Sequence, residues 1–247
     1  MNLTIDIGNS RTKLGVFSPD ELIHREVVAS ISVRSLQELS YNQNIENVIL
    51  SSVASVPGEV EAFLKSNFFY LPLCTETPLP IRLRYKTPET LGKDRVAAVA
   101  GAWHHYPGEN CLVIDAGTCI TCDVLSAEGE FLGGNIAPGI DMRLKAMHHF
   151  TARLPEVSRS GNAVAGLLGL TTEDALRNGG QLGALLEMEA FIRACEQYFG
   201  PMKVVLTGGD ADYFVKNIKT KIFAHPNLVL AGLNKILNHN VEILSGR

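Results

Sequence analysis

A short apolar strand that runs into Asp-x-Gly and returns as a second strand occurs twice in this chain, and that repetition constrains its fold more than any other feature. Residues 3 to 7 alternate as a strand, Gly8-Asn9-Ser10-Arg11 carries turn chemistry, and Thr12 to Phe17 resumes a β-rich run before Ser18-Pro19-Asp20. Further on, Cys111 to Ile114 is apolar, Asp115-Ala116-Gly117-Thr118 turns, and Ile120 to Leu125 returns before Glu128-Gly129-Glu130. Third strands are expected at Leu22 to Val28 and Phe131 to Ile136. The two units share a layout but few residues, as duplication followed by divergence would leave them. The expectation is an α/β chain of two related halves, 1–110 and 111–247.

The intervening segments fill in those halves. Hydrophobic spacing predicts a helix near Ser32 to Leu39, a buried strand at Asn47 to Ser52, and a helix over Val56 to Ser66 with Pro57 in its first turn. Pro78, Pro80 and Pro88 break both helix and ladder patterns between Cys74 and Leu91, which reads as an extended connector. Lys93 to His105 is rich in Ala and Val and is expected to be a largely buried helix. In the second half, helices are predicted at Ile140 to Phe150, Asn162 to Leu168, Thr172 to Phe199 and Ala211 to Asn217, with a buried strand at Lys203 to Leu206.

Composition excludes several classes of partner. The chain has 247 residues, 46% of them hydrophobic, enough for one large domain or two of medium size. Its 22 basic and 26 acidic residues leave a formal charge of -4 without long like-charge blocks, so no footprint for nucleic acid or an anionic membrane stands out. A small molecule is the better default. Five cysteines are too few for a disulfide scaffold and fit a reducing compartment. The first residues lack a basic region and a long apolar run, and no stretch reaches the roughly 20 apolar residues of a spanning helix. The expectation is a soluble, cytoplasmic protein.

The first Asp-x-Gly turn puts a carboxylate at a strand end, followed by a glycine that lets main-chain N–H groups approach an anion. Asn9, Ser10 and Thr12 add neutral polar groups, and Lys13 adds a point charge suited to phosphate. Asp6 would repel a polyphosphate unless a divalent cation stood between them, which implies magnesium. An ordinary polar hairpin turn has the same composition. The second turn and Thr207-Gly208-Gly209, which also follows an apolar strand, make three strand-end glycine turns, as in a nucleotide cleft between two halves.

Gly92-Lys93-Asp94-Arg95 leads into the buried helix, so Asp94 lies at its positive terminus. Asp94 is a candidate base for a hydroxyl proton during phosphoryl transfer, with Arg95 on an anionic group of the acceptor. On spacing alone, an acid stabilising its own helix explains the position better. Gly133-Gly134-Asn135-Ile136-Ala137-Pro138-Gly139 is either a loop that approaches a ligand through its backbone or a plain β-to-α connection. Cys119 and Cys122 have metal-like spacing but face opposite ways in a strand. The His104-His105 and His148-His149 pairs receive no role.

Residues Asp6 to Lys13, Gly92 to Arg95, Asp115 to Thr118, Gly133 to Gly139 and Thr207 to Gly209 together, in this order and spacing, resemble the type III pantothenate kinase family over nearly the whole chain. The resemblance implies a duplicated actin-like, ribonuclease H-like fold, each half a mixed five-stranded sheet with flanking helices, and a homodimer. It implies ATP contacts at Asp6, Ile7, Gly8, Asn9, Ser10, Arg11, Thr12, Lys13 and Thr118, and magnesium held near Asp6 through water. It assigns Asp94 the proton, Asp115 a potassium or ammonium ion, and Tyr85, Gly92, Lys93, Asp94 and Arg95 the pantothenate. Thr172 matches a substrate-contacting threonine that reaches in from the neighbouring subunit. The family more often carries Asn before that threonine, where this chain has Thr171. The rival readings are another small-molecule kinase or ATPase of this fold, or a non-catalytic nucleotide-binding regulatory protein.

Overall fold

The structure is a computed structural model that describes residues 1–8, 11–161 and 166–246. Contacts group the chain into two units, Met1–Pro107 with Gly129–Phe131 and Asn227–Arg247, and Gly108–Glu128 with Leu132–Pro226.

In the first unit, β1 (Asn2–Ile7), β2 (Thr12–Ser18) and β3 (Glu21–Val28) form an antiparallel meander. Helix α1 (Val33–Gln43) begins at a reciprocal cap in which Ser32 and Ser35 accept each other's backbone N–H groups. It is followed by β4 (Asn47–Ser52), α2 (Gly58–Asn67) and β5 (Phe69–Pro72). The sheet order is β3-β2-β1-β4-β5, with β4 parallel to both β1 and β5. Alternating side chains of the strands, Leu3, Ile5, Leu14, Val16, Val48 and Leu50, pack with Leu36, Val60 and Leu64 of the two helices. The proline-rich connector is extended as expected, but it also contains the two-residue strand β6 (Arg82–Leu83) and a 3₁₀ turn at Pro88–Thr90 before α3 (Lys93–His105).

The second unit repeats this plan. Strands β7 (Cys111–Ala116) and β8 (Cys119–Leu125) pair antiparallel, and β9 (Glu130–Pro138) flanks β8. The first two residues of β9 group with the first unit, where Glu130 and Phe131 pair in parallel with Arg82 and Leu83. Helices α4 (Ile140–His149) and α5 (Thr172–Phe199) precede β10 (Lys203–Thr207), α6 (Ala211–Asn217) and β11 (Phe223–Ala224). The order β9-β8-β7-β10-β11, with β10 parallel to β7 and β11, is the order of the first sheet. The duplication expected from the two turns is therefore carried by the topology.

Two expectations are corrected. Of the helix predicted at Asn162 to Leu168, residues 162–165 lie outside the described residues, and 166–168 are irregular, with bends at 167 and 168, rather than helix. The final segment, predicted to belong with the second half, folds as α7 (Leu228–Ser245) and packs on α3 in the first unit. Glycines make that packing close: a methyl group on Gly232 would overlap the Ala97 carbonyl. Burial of Leu230, Leu233, Ile236 and Leu237 then fixes α7 where it lies.

Candidate active site

Strand register assembles the first turn. Asp6 lies opposite Lys13 on β2 and beside Ser51 on β4, so all three side chains leave the same face of the sheet. Asp6 and Thr12 are buried, Lys13 is half-buried, and Arg11 is exposed. The Gly8 N–H donates to the Arg11 carbonyl at 3.1 Å and closes the turn. Asn9 and Ser10 lie outside the described residues. A carboxylate at a strand end is an oxygen donor of the kind magnesium takes, and the lysine ammonium beside it is a point charge of the kind that suits phosphate.

The second cluster, also in the first unit, surrounds the start of α3. Asp94 is half-buried in the first turn of the helix, where its Oδ1 accepts the Arg95 N–H at 2.9 Å. Gly92 is the N-cap, and Lys93 is half-buried beside it. Arg95 is only 5% exposed, and its guanidinium carbon lies 5.7 Å from the centre of the Tyr85 ring and 5.9 Å from that of Phe131. Those rings are parallel within 5°, with centroids 6.0 Å apart. Strand β6 produces this arrangement, because its pairing with the start of β9 sets Tyr85 just beyond the ladder and Phe131 within it. The Glu130 carboxylate accepts from Arg84 at 2.7 Å and from Arg82 at 3.3 Å, and the hydrogen bond from Arg84 holds its pKa below the usual carboxylate value. Tyr85, Gly92, Lys93, Asp94 and Arg95 thus share one neighbourhood. Phe131 was missed, because a single aromatic residue at the start of a strand carries no motif.

In the second unit, Asp115 sits in register with Thr121 on β8 and Thr207 on β10. The Gly117 N–H donates to the Cys119 carbonyl at 2.9 Å, and the Asp210 N–H donates to the Ala116 carbonyl at 2.8 Å. Gly208 has a φ of +102°, and a Cβ there would lie 2.5 Å from Asp115 Oδ1 and overlap the Ala116 carbonyl. The second and third glycine turns therefore meet at Asp115. Thr118 is exposed at the tip of its turn. Arg159, which carried no signal in the sequence, donates to Asp210 and Asp141, and the Asp210 hydrogen bond raises its pKa.

Thr172 is exposed at the start of α5, and Thr171 is the cap of that helix. The Thr171 hydroxyl accepts the Asp174 N–H at 3.1 Å and donates to the Asp174 carboxylate at 2.8 Å. Thr and Asn are both favoured at such a cap. All five cysteines are free, with Cys119 half-buried and Cys122 buried. Among the described residues, no three His, Cys, Asp or Glu side chains are grouped to hold a metal, and no helix is long and apolar enough to cross a membrane. A cavity of about 620 Å³ lined by Asp20, Trp103, His104 and Lys235 includes none of the predicted site residues.

Comparison with known proteins gives one consistent result. A family model described as type III pantothenate kinase matches residues 2–194. The type III pantothenate kinase of Phocaeicola vulgatus is 42% identical over 244 residues, covering 98% of this chain and 100% of that protein. That of Bacteroides fragilis is 42% identical over 241 residues, covering 97% and 98%. Among solved structures, a protein of Campylobacter jejuni described as a Baf family transcriptional activator aligns with a TM-score of 0.61 at 24% identity, covering 97% and 99% of the two chains. A ROK hexokinase from Thermus thermophilus aligns with a TM-score of 0.54 at 14% identity, covering 97% and 99%. At these identities the structures speak to the fold, which is that of the actin-like ATPases and sugar kinases.

Proposed function

The chain belongs to the type III pantothenate kinase family, and from that premise we propose how its residues phosphorylate pantothenate with ATP to give 4'-phosphopantothenate and ADP, the first step of coenzyme A biosynthesis. One observation carries the assignment of the base: the Asp94 carboxylate stands half-buried at a helix N-terminus, held by a backbone N–H. Asp94 accepts the proton of the primary hydroxyl as that oxygen bonds to the γ-phosphorus and the bond to the bridging oxygen breaks. Arg95 and Tyr85 hold the pantothenate carboxylate end, with Gly92 and Lys93 completing the loop.

Positioning and charge neutralisation contribute most to phosphoryl transfer. Lys13 and the backbone of residues 6 to 12 take the ATP phosphates, and Thr118 adds a hydroxyl. Magnesium, which accompanies ATP in kinases, would neutralise developing charge when bound, and Asp6 would hold it through water. Asp115 holds a monovalent cation, a role supported by its hydroxyl-bearing neighbours Thr121 and Thr207, which are oxygen donors.

The protein works as a homodimer in which Thr172 reaches the partner's site. Supporting this reading, Leu167, Leu168 and Leu170, just ahead of Thr172, are 77%, 77% and 93% exposed, more apolar surface than a short solvated loop usually carries. The free cysteines support a cytoplasmic location. The test is a coupled ADP-release assay with pantothenate, run in potassium and then in sodium. The expected result is release that depends on pantothenate and is stimulated by potassium. ATP binding without turnover of pantothenate at any cation concentration would refute the catalytic reading in favour of a regulatory one.

A further inference from the structure

We infer that Phe131 is a positioning residue for recognition of the substrate carboxylate, acting through Arg95 and Tyr85; the inference rests on the proposed reading of Arg95 as the carboxylate ligand. Phe131 is fully buried and its main chain is fixed, since it pairs with Leu83 and its carbonyl accepts the Arg84 N–H at 2.9 Å. The preceding residue is pinned as well, with Glu130 bridged to Arg82 and Arg84. Tyr85 lies past the end of β6, half-buried, with no ladder of its own. Its ring is parallel to the Phe131 ring within 5°. Arg95 arrives from α3 on a long side chain with several rotatable bonds, and its guanidinium lies against both ring systems.

Phe131 is therefore the rigid member of the three. Its ring sets the plane of Tyr85, and the two rings together narrow the orientations open to the guanidinium. A planar guanidinium binds a carboxylate through two parallel N–H groups, so its orientation decides how well it reads the substrate. A contact remote from the transferred phosphoryl group that is made equally in the ground and transition states shows its loss in KM with kcat unchanged, and that is the pattern a carboxylate-recognition role predicts.

The experiment compares Phe131→Met and Phe131→Leu, which fill similar volume without a ring, with Phe131→Tyr, which keeps the ring. Each is assayed with pantothenate and with pantothenol, in which a neutral hydroxymethyl group replaces the carboxylate. The ring-free variants are expected to raise KM for pantothenate by about 5- to 30-fold, the size of a buried cation–ring contact, with kcat and the KM for ATP within about two-fold. Their preference for pantothenate over pantothenol shrinks by the same factor, and Phe131→Tyr restores it. Equal losses with both substrates, an unchanged preference, or failure of both ring-free variants to fold would mark Phe131 as ordinary core and overturn the inference. Arg95→Met separates the two levels. If it leaves the preference intact, the reading of Arg95 is wrong and the inference falls with it; if it erases the preference while Phe131→Met does not, only the role of Phe131 is refuted.

Discussion

A methyl group on Gly92 would lie 2.6 Å from Oδ1 of Asp94, so the carboxylate occupies the space that a side chain would need. The backbone at Gly92, with φ -56° and ψ 127°, is one that alanine adopts freely. Gly92→Ala therefore acts first on the carboxylate, with only the modest cost of alanine at an N-cap beside it. A displacement of about 1 Å at a reacting group costs roughly 10²-fold in rate. The expected outcome is a fall in kcat of that size with a melting temperature close to that of the wild type, read by steady-state kinetics beside a thermal scan.

Asp94→Asn tests the base directly. The amide still accepts the Arg95 N–H, so the local structure persists, but it takes no proton from a hydroxyl. Turnover is expected to drop by about 10²- to 10⁴-fold. Calorimetric titration with ATP on the same variant should give wild-type affinity, because Asp94 is assigned to the acceptor. Near-native turnover would remove Asp94 from the chemistry.

Much of this was legible in the sequence, for reasons visible in particular residues. Leu3, Ile5, Leu14 and Val16 alternate strictly enough to fix β1 and β2, and Asp6 and Asp115 mark the same point in both units. Helix α7 was not recognised although Leu230, Leu233 and Leu237 have helical spacing. Its Asn227 cap makes no side-chain hydrogen bond, Gly232 interrupts it, and Asn238-His239-Asn240 dilutes the pattern. Strands β6 and β11 have two residues each, too short for any periodicity to register. The arrangement of Phe131, Tyr85 and Arg95 depends on β6, so it was illegible for the same reason. The capping role of Thr171 rests on its hydrogen bond with Asp174, which a residue pattern alone does not display.

That cap gives a graded test. Thr171→Asn should be neutral, since either side chain accepts the Asp174 N–H. Thr171→Ala removes the acceptor and should cost about 1 kcal/mol, or about 2–4 °C in melting temperature for a chain of this size. It also loosens the turn that carries Thr172, so KM for pantothenate should rise in the alanine variant alone. An equal effect of both substitutions on KM would separate Thr172 from its cap.

If Asp115 holds the monovalent cation as proposed, the effect of that cation depends on its charge. Asp115→Asn keeps the shape of the turn and its close approach to Gly208 while removing the negative charge that would hold a weakly bound ion. The ratio of activity in potassium to activity in sodium should fall toward unity. Magnesium dependence should be unchanged, because it is assigned to Asp6. If the ratio persists in the variant, the cation binds elsewhere.

Leu167, Leu168 and Leu170 are more exposed than Leu186, which is 50% exposed on α5, and they lie just before Thr172. Each leucine buried at an interface contributes roughly 1.5–3 kcal/mol, so covering them would make a substantial part of a dimer's stability. The double substitution Leu167→Glu with Leu170→Glu places two charges where that cover would lie. Like charges from two copies would then meet at a desolvated surface, which costs several kcal/mol. Sedimentation is expected to show a folded monomer, with KM for pantothenate raised because Thr172 no longer reaches a neighbouring site, and with ATP binding intact. A variant that remains dimeric with full activity would place the interface on another surface. A monomer with unchanged KM would leave the interface where it is proposed and remove Thr172 from the partner's site.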